Sequence, residues 1–115
     1  MSFLSSLFPP SIDPEEAAQA LSDRDVVALD VRERHEWKAG HIAGAKHVPL
    51  RALDARTGEL DSGRRYVAVC RTGSRSARAT AHLRKAGFDV INLKGGLAAW
   101  RRAGLPLEPR NGRVV

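Results

Sequence analysis

The chain's single cysteine lies where an apolar run gives way to small and basic residues. Cys70 follows the run 67–69, and Arg71-Thr72-Gly73-Ser74-Arg75 separates it from a helix-forming stretch. Amides at the start of a helix have no internal partner, and together with the helix dipole they favour a nearby negative charge. Arg71 and Arg75 add positive charge, so the surroundings favour the thiolate over the thiol. The pattern predicts a nucleophilic cysteine.

The length of the segment after the cysteine bears on its chemistry. Cysteine enzymes that transfer phosphate place five residues between the cysteine and the arginine, whereas four separate Cys70 from Arg75. A shorter loop leaves less room for a tetrahedral oxyanion bonded to sulfur, and one additional sulfur atom fits better. The spacing therefore favours a persulfide on Cys70.

Two other interpretations of the cysteine remain open. Cys70 is a buried strand-end residue in one of them, the arginines are plain surface charge, and the domain is a non-catalytic interaction module. In the other, the protein is a cysteine phosphatase or an arsenate reductase, which the short loop disfavours. A nucleophile requires amides aimed at the sulfur and a side chain open to solvent, and a sealed thiol would count against an enzyme.

Composition narrows the class of protein. A chain of 115 residues with a hydrophobic fraction of 43% suits one globular domain. The net charge of +6 attracts anions, but the few aromatics do not alternate with basic residues, so nucleic acid is not expected as a partner. No apolar run approaches the roughly 20 residues of a transmembrane helix. One cysteine excludes an internal disulfide, which favours the cytoplasm.

The ends of the chain are expected to lie outside the domain. Residues 1–10 read as a flexible arm, because they have no basic region or cleavage site of a secretion signal. A peripheral membrane contact through the apolar residues of this arm is the alternative. The domain itself is expected over residues 11–107, and residues 108–115 are expected to form a loose tail.

Short apolar runs alternate with helical patterns along the domain. Strands are predicted at 11–12, 26–31, 45–48, 66–69 and 88–93. Helices are predicted at 14–22, 50–55 and 74–86 and after Gly95-Gly96, with one helical turn at 35–38. This alternation predicts an α/β fold in which helices flank both faces of a mostly parallel sheet. Cys70 then lies at the carboxyl end of a strand, where such sheets bind ligands.

Three motifs in this order resemble the single-domain rhodaneses, a family of sulfurtransferases. The first runs from Asp30 to Pro49 and includes Glu36-Trp37 and Gly40-His41, the second is the cysteine loop, and the third is the segment 93–106. The resemblance covers the chain from Ile12 to Pro106. It implies a rhodanese-like fold with a central parallel sheet. It also implies transfer of sulfane sulfur, commonly from thiosulfate, to a thiol or to cyanide.

The resemblance also implies roles for the loop residues. Cys70 would be the catalytic residue and carry the persulfide, and the loop amides would hold the added sulfur. The donor-binding residues would be Arg71, Thr72, Gly73, Ser74 and Arg75, with the two arginines meeting an anionic donor. The partners would be a small anionic sulfur donor and a small-molecule or protein thiol. No metal or organic cofactor is required.

Several other polar residues invite a functional interpretation, but structural roles are favoured. His35, His41 and His47 are spaced too widely for a zinc site, and His41 is expected to fix its loop through a hydrogen bond. Asp30 is expected to pair with a nearby arginine or backbone amide. A catalytic role for Asp30 is the less favoured alternative.

Overall fold

Five parallel strands form one sheet in the computed structural model, which describes residues 9–115. The strand order is β1-β5-β4-β2-β3, and every neighbouring pair is parallel. The α/β prediction is therefore confirmed. The predicted arm at residues 1–10 lies almost entirely outside the described residues. The strands are β1 (Ser11–Ile12), β2 (Val26–Asp30), β3 (Lys46–His47), β4 (Arg65–Val69) and β5 (Asp89–Leu93).

Helices cover both faces of the sheet. α1 packs against α5 on one face, and the longest helix, α4, covers the other face together with α3. Short 3-10 turns at Leu50–Ala52 and Thr57–Glu59 flank α3. Within residues 9–115, no helix has the length and apolar composition that crossing a membrane requires. The helices are α1 (Pro14–Ala20), α2 (Arg34–Ala39), α3 (Leu53–Arg56), α4 (Ser74–Lys85) and α5 (Gly96–Arg102).

Strand register brings the ends of β2 and β4 together. Asp30 lies opposite Val69, and the amide of Val31 donates to the carbonyl of Val69 at 3.0 Å. Since both strands run in the same direction, the residues that follow them emerge at the same edge of the sheet. Arg32 and Cys70 therefore come to one edge although they are far apart in the sequence.

The start of α1 shows how local sequence sets an element. Asp13 accepts a hydrogen bond from the amide of Glu16 at 2.9 Å, and the Glu16 carboxylate accepts one from the amide of Asp13 at 3.1 Å. Pro14 occupies the first helical position, where its missing N–H costs nothing. This reciprocal cap fixes the start of the helix that the sequence predicts at 14–22.

The carboxyl-terminal tail differs from the prediction. Residues 108–115 were expected to be loose, yet Glu108 and His41 exchange two backbone hydrogen bonds of 2.7 and 2.8 Å. The amide of Arg113 donates to the carbonyl of Ala39 at 2.7 Å. The tail thus follows the segment after α2. These contacts join backbone groups, which leave no apolar pattern in the sequence, and Val114 also packs against the apolar cluster that contains Leu107.

Candidate active site

The backbone around Cys70 is held by the start of α5. The carbonyls of Cys70 and Arg71 accept hydrogen bonds from the amides of Leu97 and Ala98 at 2.8 and 2.9 Å. Gly96 makes this approach possible, because a Cβ atom there would lie 2.5 Å from the Arg71 carbonyl oxygen. With those carbonyls directed toward α5, the amides that follow can turn toward the sulfur.

Three hydrogen-bond donors converge on the sulfur of Cys70. The amide of Gly73 lies 3.1 Å from Sγ, the amide of Ser76 lies 3.4 Å from it, and the Ser76 hydroxyl lies 3.3 Å from it. Gly73 has a φ of 103°, a left-handed conformation that favours glycine. Donors aimed at sulfur stabilise its anionic form over its neutral form.

Two residues near the Cys70 sulfur were not among the site residues predicted from the sequence. Ser76 donates to Sγ from the buried face of α4, and the side-chain amide of Asn92 in β5 donates to the Gly73 carbonyl at 3.1 Å. Both side chains are polar but buried. A polar residue on the apolar side of a predicted element was the available signal for each of them.

The exposure of the loop departs from the expectation of an open thiol. Cys70 has an exposed fraction of 0% and belongs to the apolar cluster under α4. The expectation was wrong because the chain around Cys70 closes over it. Among the predicted donor-binding residues, Arg71, Thr72 and Ser74 are exposed, whereas Gly73 is buried. A reagent therefore reaches the sulfur only when neighbouring groups move.

Arg75 is engaged by a carboxylate that sequence reasoning did not assign to the site. Its two terminal nitrogens donate to the two oxygens of Glu36 at 2.7 and 2.8 Å. The hydrogen bond from Arg75 is the main cause that lowers the pKa of Glu36 to about 2, and the same bond raises the pKa of Arg75. Both terminal nitrogens of Arg75, a predicted donor-binding residue, are therefore engaged by Glu36.

A second ion pair lies beside the first, fully buried at the end of β2. Arg32 donates to Asp30 through Nε at 2.9 Å and through Nη2 at 2.7 Å, and Nη2 also reaches the carbonyl of Gly40 at 2.7 Å. The structural role expected for Asp30 is thus the one observed. The positive charge of Arg32 contributes to the lowered pKa of Glu36, so the two pairs act on each other.

The aromatic ring of Trp37 lies between two histidine rings. Its centroid is 3.7 Å from that of His41 and 4.9 Å from that of His47, with all three rings nearly parallel. His41 Nδ1 hydrogen bonds with the carbonyl of Trp37 at 2.8 Å, so His41 does fix the loop after α2. His47 Nε2 contacts the carbonyl of Arg32 at the same distance.

Comparison with known proteins identifies the family. A sequence profile described as Rhodanese-like domain matches residues 13–103. The chain belongs to the rhodanese-like family. The profile spans the first two motifs and the third as far as residue 103, and it includes Cys70 and the residues that donate hydrogen bonds to its sulfur.

Curated relatives of this rhodanese-like chain include sulfurtransferases. A protein of Allochromatium vinosum named Sulfurtransferase is 39% identical over 103 residues, which cover 88% of this chain and 96% of the relative. A Mycobacterium tuberculosis protein named Probable adenylyltransferase/sulfurtransferase MoeZ is 40% identical over 96 residues. That alignment covers 80% of this chain but only 24% of the longer relative.

Solved structures share the fold. A rhodanese-related protein from Thermoplasma volcanium matches with a TM-score of 0.81 at 28% identity, covering 85% of this chain and 96% of that one. A thiosulfate sulfurtransferase from Pseudomonas aeruginosa matches with a TM-score of 0.80 at 31% identity. The match covers 90% of this chain and 20% of that one. The rhodanese-like fold is therefore confirmed, and the family of this chain is one of sulfurtransferases.

Proposed function

We propose that the protein is a thiosulfate-type sulfurtransferase that carries sulfane sulfur as a persulfide on Cys70. The observation that supports this most directly is the convergence of three donors, from Gly73 and Ser76, on one sulfur atom. Such donors stabilise negative charge on sulfur before and after transfer. The sulfurtransferase relatives support the reaction class.

The reaction proceeds in two displacements on sulfur. The Cys70 thiolate attacks the outer sulfur of thiosulfate, the S–S bond of thiosulfate breaks, and sulfite leaves with the bonding electron pair. An acceptor thiol then attacks the outer sulfur of the enzyme persulfide. Cys70 leaves as a thiolate, and the acceptor retains the transferred sulfur and the proton as its own persulfide. Double-displacement kinetics follow.

The partners follow from charge and exposure. Arg71, Thr72 and Ser74 are exposed on the cysteine loop, and they are the residues we assign to the anionic donor. The amide of Gly73 donates to the Cys70 sulfur. Arg75 is held by Glu36, and we assign it no direct contact with the donor. The acceptor is a small-molecule or protein thiol. We place the reaction in the cytoplasm, where a lone thiol stays reduced.

Burial of Cys70 supports a second candidate, a non-catalytic interaction module. A thiol with an exposed fraction of 0% cannot meet a donor until the loop opens. If the loop never opens, the domain can only bind partners through its surface. Sulfur loading separates the two functions, because a module does not acquire sulfur on Cys70.

Intact-mass spectrometry after incubation with thiosulfate tests the proposal. We expect the protein to gain the mass of one sulfur atom, and a thiol acceptor to remove it. Cys70→Ser should abolish the gain and lower the transfer rate to thiol acceptors by about a thousandfold or more. Absence of sulfur on the native protein with several sulfane donors would favour the module. Hydrolysis of an aryl phosphate without sulfur loading would instead revive the phosphatase.

A further inference from the structure

Glu36 consumes both terminal nitrogens of Arg75. The carboxylate and the guanidinium form two parallel hydrogen bonds of 2.7 and 2.8 Å, the geometry in which arginine binds any planar oxyanion. The face of Arg75 that would recognise a donor is thus already occupied. Glu36 is itself fixed, because Oε1 also accepts a hydrogen bond from the amide of Glu33 at 3.0 Å.

Charges alternate in sign from the end of β2 to the cysteine. Asp30 and Arg32 form one pair, Glu36 and Arg75 form the next, and Cys70 comes last. The negative charges of Glu36 and Asp30 both act on Arg75 and raise its pKa, with the hydrogen bond from Arg75 to Glu36 as the largest cause. Because each arginine has its own carboxylate, neither pair leaves a net positive charge beside the sulfur. The exposed cation that remains on the loop is Arg71.

We propose that Glu36 is a positioning residue that fixes Arg75 beside the cysteine loop and cancels most of its charge, which leaves Arg71 to select the anionic sulfur donor. This inference rests on the proposed function. Glu36 thereby limits how strongly the site attracts anions. It also separates two tasks, since Arg75 gives the loop its shape and Arg71 gives it charge.

Replacing Glu36→Gln tests the cancellation of charge. Glutamine keeps the shape of the side chain and one acceptor for Arg75, but it removes the negative charge. We expect the alkylation rate of Cys70 by neutral iodoacetamide to have its pH midpoint lowered by about half a unit or more. The KM for thiosulfate should fall about two- to fivefold at constant ionic strength. A purely structural role for Glu36 predicts neither change.

A matched control is available in a second glutamate. Glu59 accepts two hydrogen bonds from Arg56, at 2.7 and 3.0 Å, and this pair forms on the surface after α3. Glu59→Gln therefore makes the same change in net charge at a carboxylate paired with arginine, and it also removes the salt bridge of 3.3 Å from Lys46 to Glu59. The midpoint of Cys70 alkylation and the KM for thiosulfate should both stay at their native values in this variant.

Arg71→Ala tests the other half of the proposal and does not depend on the stability of the Glu36 variant. Arg71 is exposed, so its loss should leave the fold intact. We expect the KM for thiosulfate to rise about tenfold, with a smaller change in kcat. In the double variant Arg71→Ala with Glu36→Gln, the KM for thiosulfate should rise less than in Arg71→Ala alone, because Arg75 can then bind the donor.

Clear results would overturn the inference. A Glu36→Gln protein that folds but has an unchanged or raised alkylation midpoint would refute the cancellation. An Arg71→Ala protein with native KM would refute the role of Arg71. The alkylation midpoint requires no sulfur transfer, so it still tests Glu36 if Cys70 never accepts sulfur. In that case the proposed function fails while the electrostatic role of Glu36 is judged separately.

Discussion

Two arginine–glutamate pairs in this molecule each have two hydrogen bonds but lie in different surroundings. Glu36 binds Arg75 through two hydrogen bonds of 2.7 and 2.8 Å, and Glu59 binds Arg56 through two of 2.7 and 3.0 Å. In both pairs the hydrogen bond from arginine is the main cause that lowers the pKa of the carboxyl to about 2. The number of hydrogen bonds and the direction of the pKa shift therefore do not distinguish the two pairs.

Burial and connectivity do distinguish the two pairs. The Glu36 side chain is 9% exposed and that of Arg75 is 34% exposed, against 43% for Glu59 and 38% for Arg56. Glu36 and Arg75 join α2 to α4 across 39 positions of sequence, whereas Arg56 and Glu59 are three positions apart. The first pair thus ties α2 to α4 beside the cysteine. The second pair joins the end of α3 to the turn after it, where Glu59 also lies 3.3 Å from Lys46 of β3.

Removal of each arginine should give the largest difference between the pairs. Arg75→Ala leaves the Glu36 carboxylate with little solvent and without its partner. Loss of one partner from a fully buried pair costs roughly 3–5 kcal/mol, and partial exposure of Arg75 reduces this to about 2 kcal/mol. Arg56→Ala leaves the Glu59 carboxylate solvated by water and still paired with Lys46 at 3.3 Å, so the change should be close to the error of the measurement.

Urea denaturation of the two alanine variants at neutral pH measures this difference. The reference is the native protein under the same ionic conditions. Equal losses of unfolding free energy in Arg75→Ala and Arg56→Ala would show that burial does not separate the pairs, and the comparison would then fail.

The two pairs also differ in how far the sequence could predict them. Arg56 and Glu59 lie at a spacing that brings side chains together on one turn, so the pair can be read from the sequence. Glu36 lies three residues after Glu33, which indicates only a helix start. Its pairing with Arg75 depends on where the fold places α2 relative to α4. The spacing of residues within either helix does not determine that placement.

The apolar runs in the sequence were enough to predict most of the fold. The residues around Cys70 were enough to predict part of the site. The runs at β2, β4 and β5 predicted a parallel sheet, and the small residues after Cys70 predicted amides near the sulfur. Burial of the thiol was not predicted, because it depends on how α4 and the strands pack around Cys70. The hydrogen bond from the Ser76 hydroxyl was also missed, because a polar residue on the apolar side of α4 indicates a buried partner without identifying it.

Acidification should reduce the contribution of the Glu36–Arg75 pair to the free energy of unfolding over a defined range of pH. The pKa of Glu36 falls from 4.5 to about 2 on folding, so the pair contributes fully above about pH 4.5 and is lost as the pH falls through about 2. The difference in unfolding free energy between the native protein and Glu36→Gln should therefore be constant from neutral pH to about pH 5. It should then shrink toward pH 2. A difference that grows on acidification would contradict this assignment.

Salt should give the smallest effect and separate the pairs by screening. In about 1 M NaCl the Debye length is about 3 Å, so an exposed pair loses most of its Coulomb attraction. The small effect of Glu59→Gln on the urea midpoint should disappear at that concentration. The effect of Glu36→Gln should largely persist, because its carboxylate is nearly buried and its two hydrogen bonds are not screened. If salt erased both effects equally, solvent would have to reach Glu36 as freely as Glu59, and the proposed control of Arg75 by Glu36 would lose its physical basis.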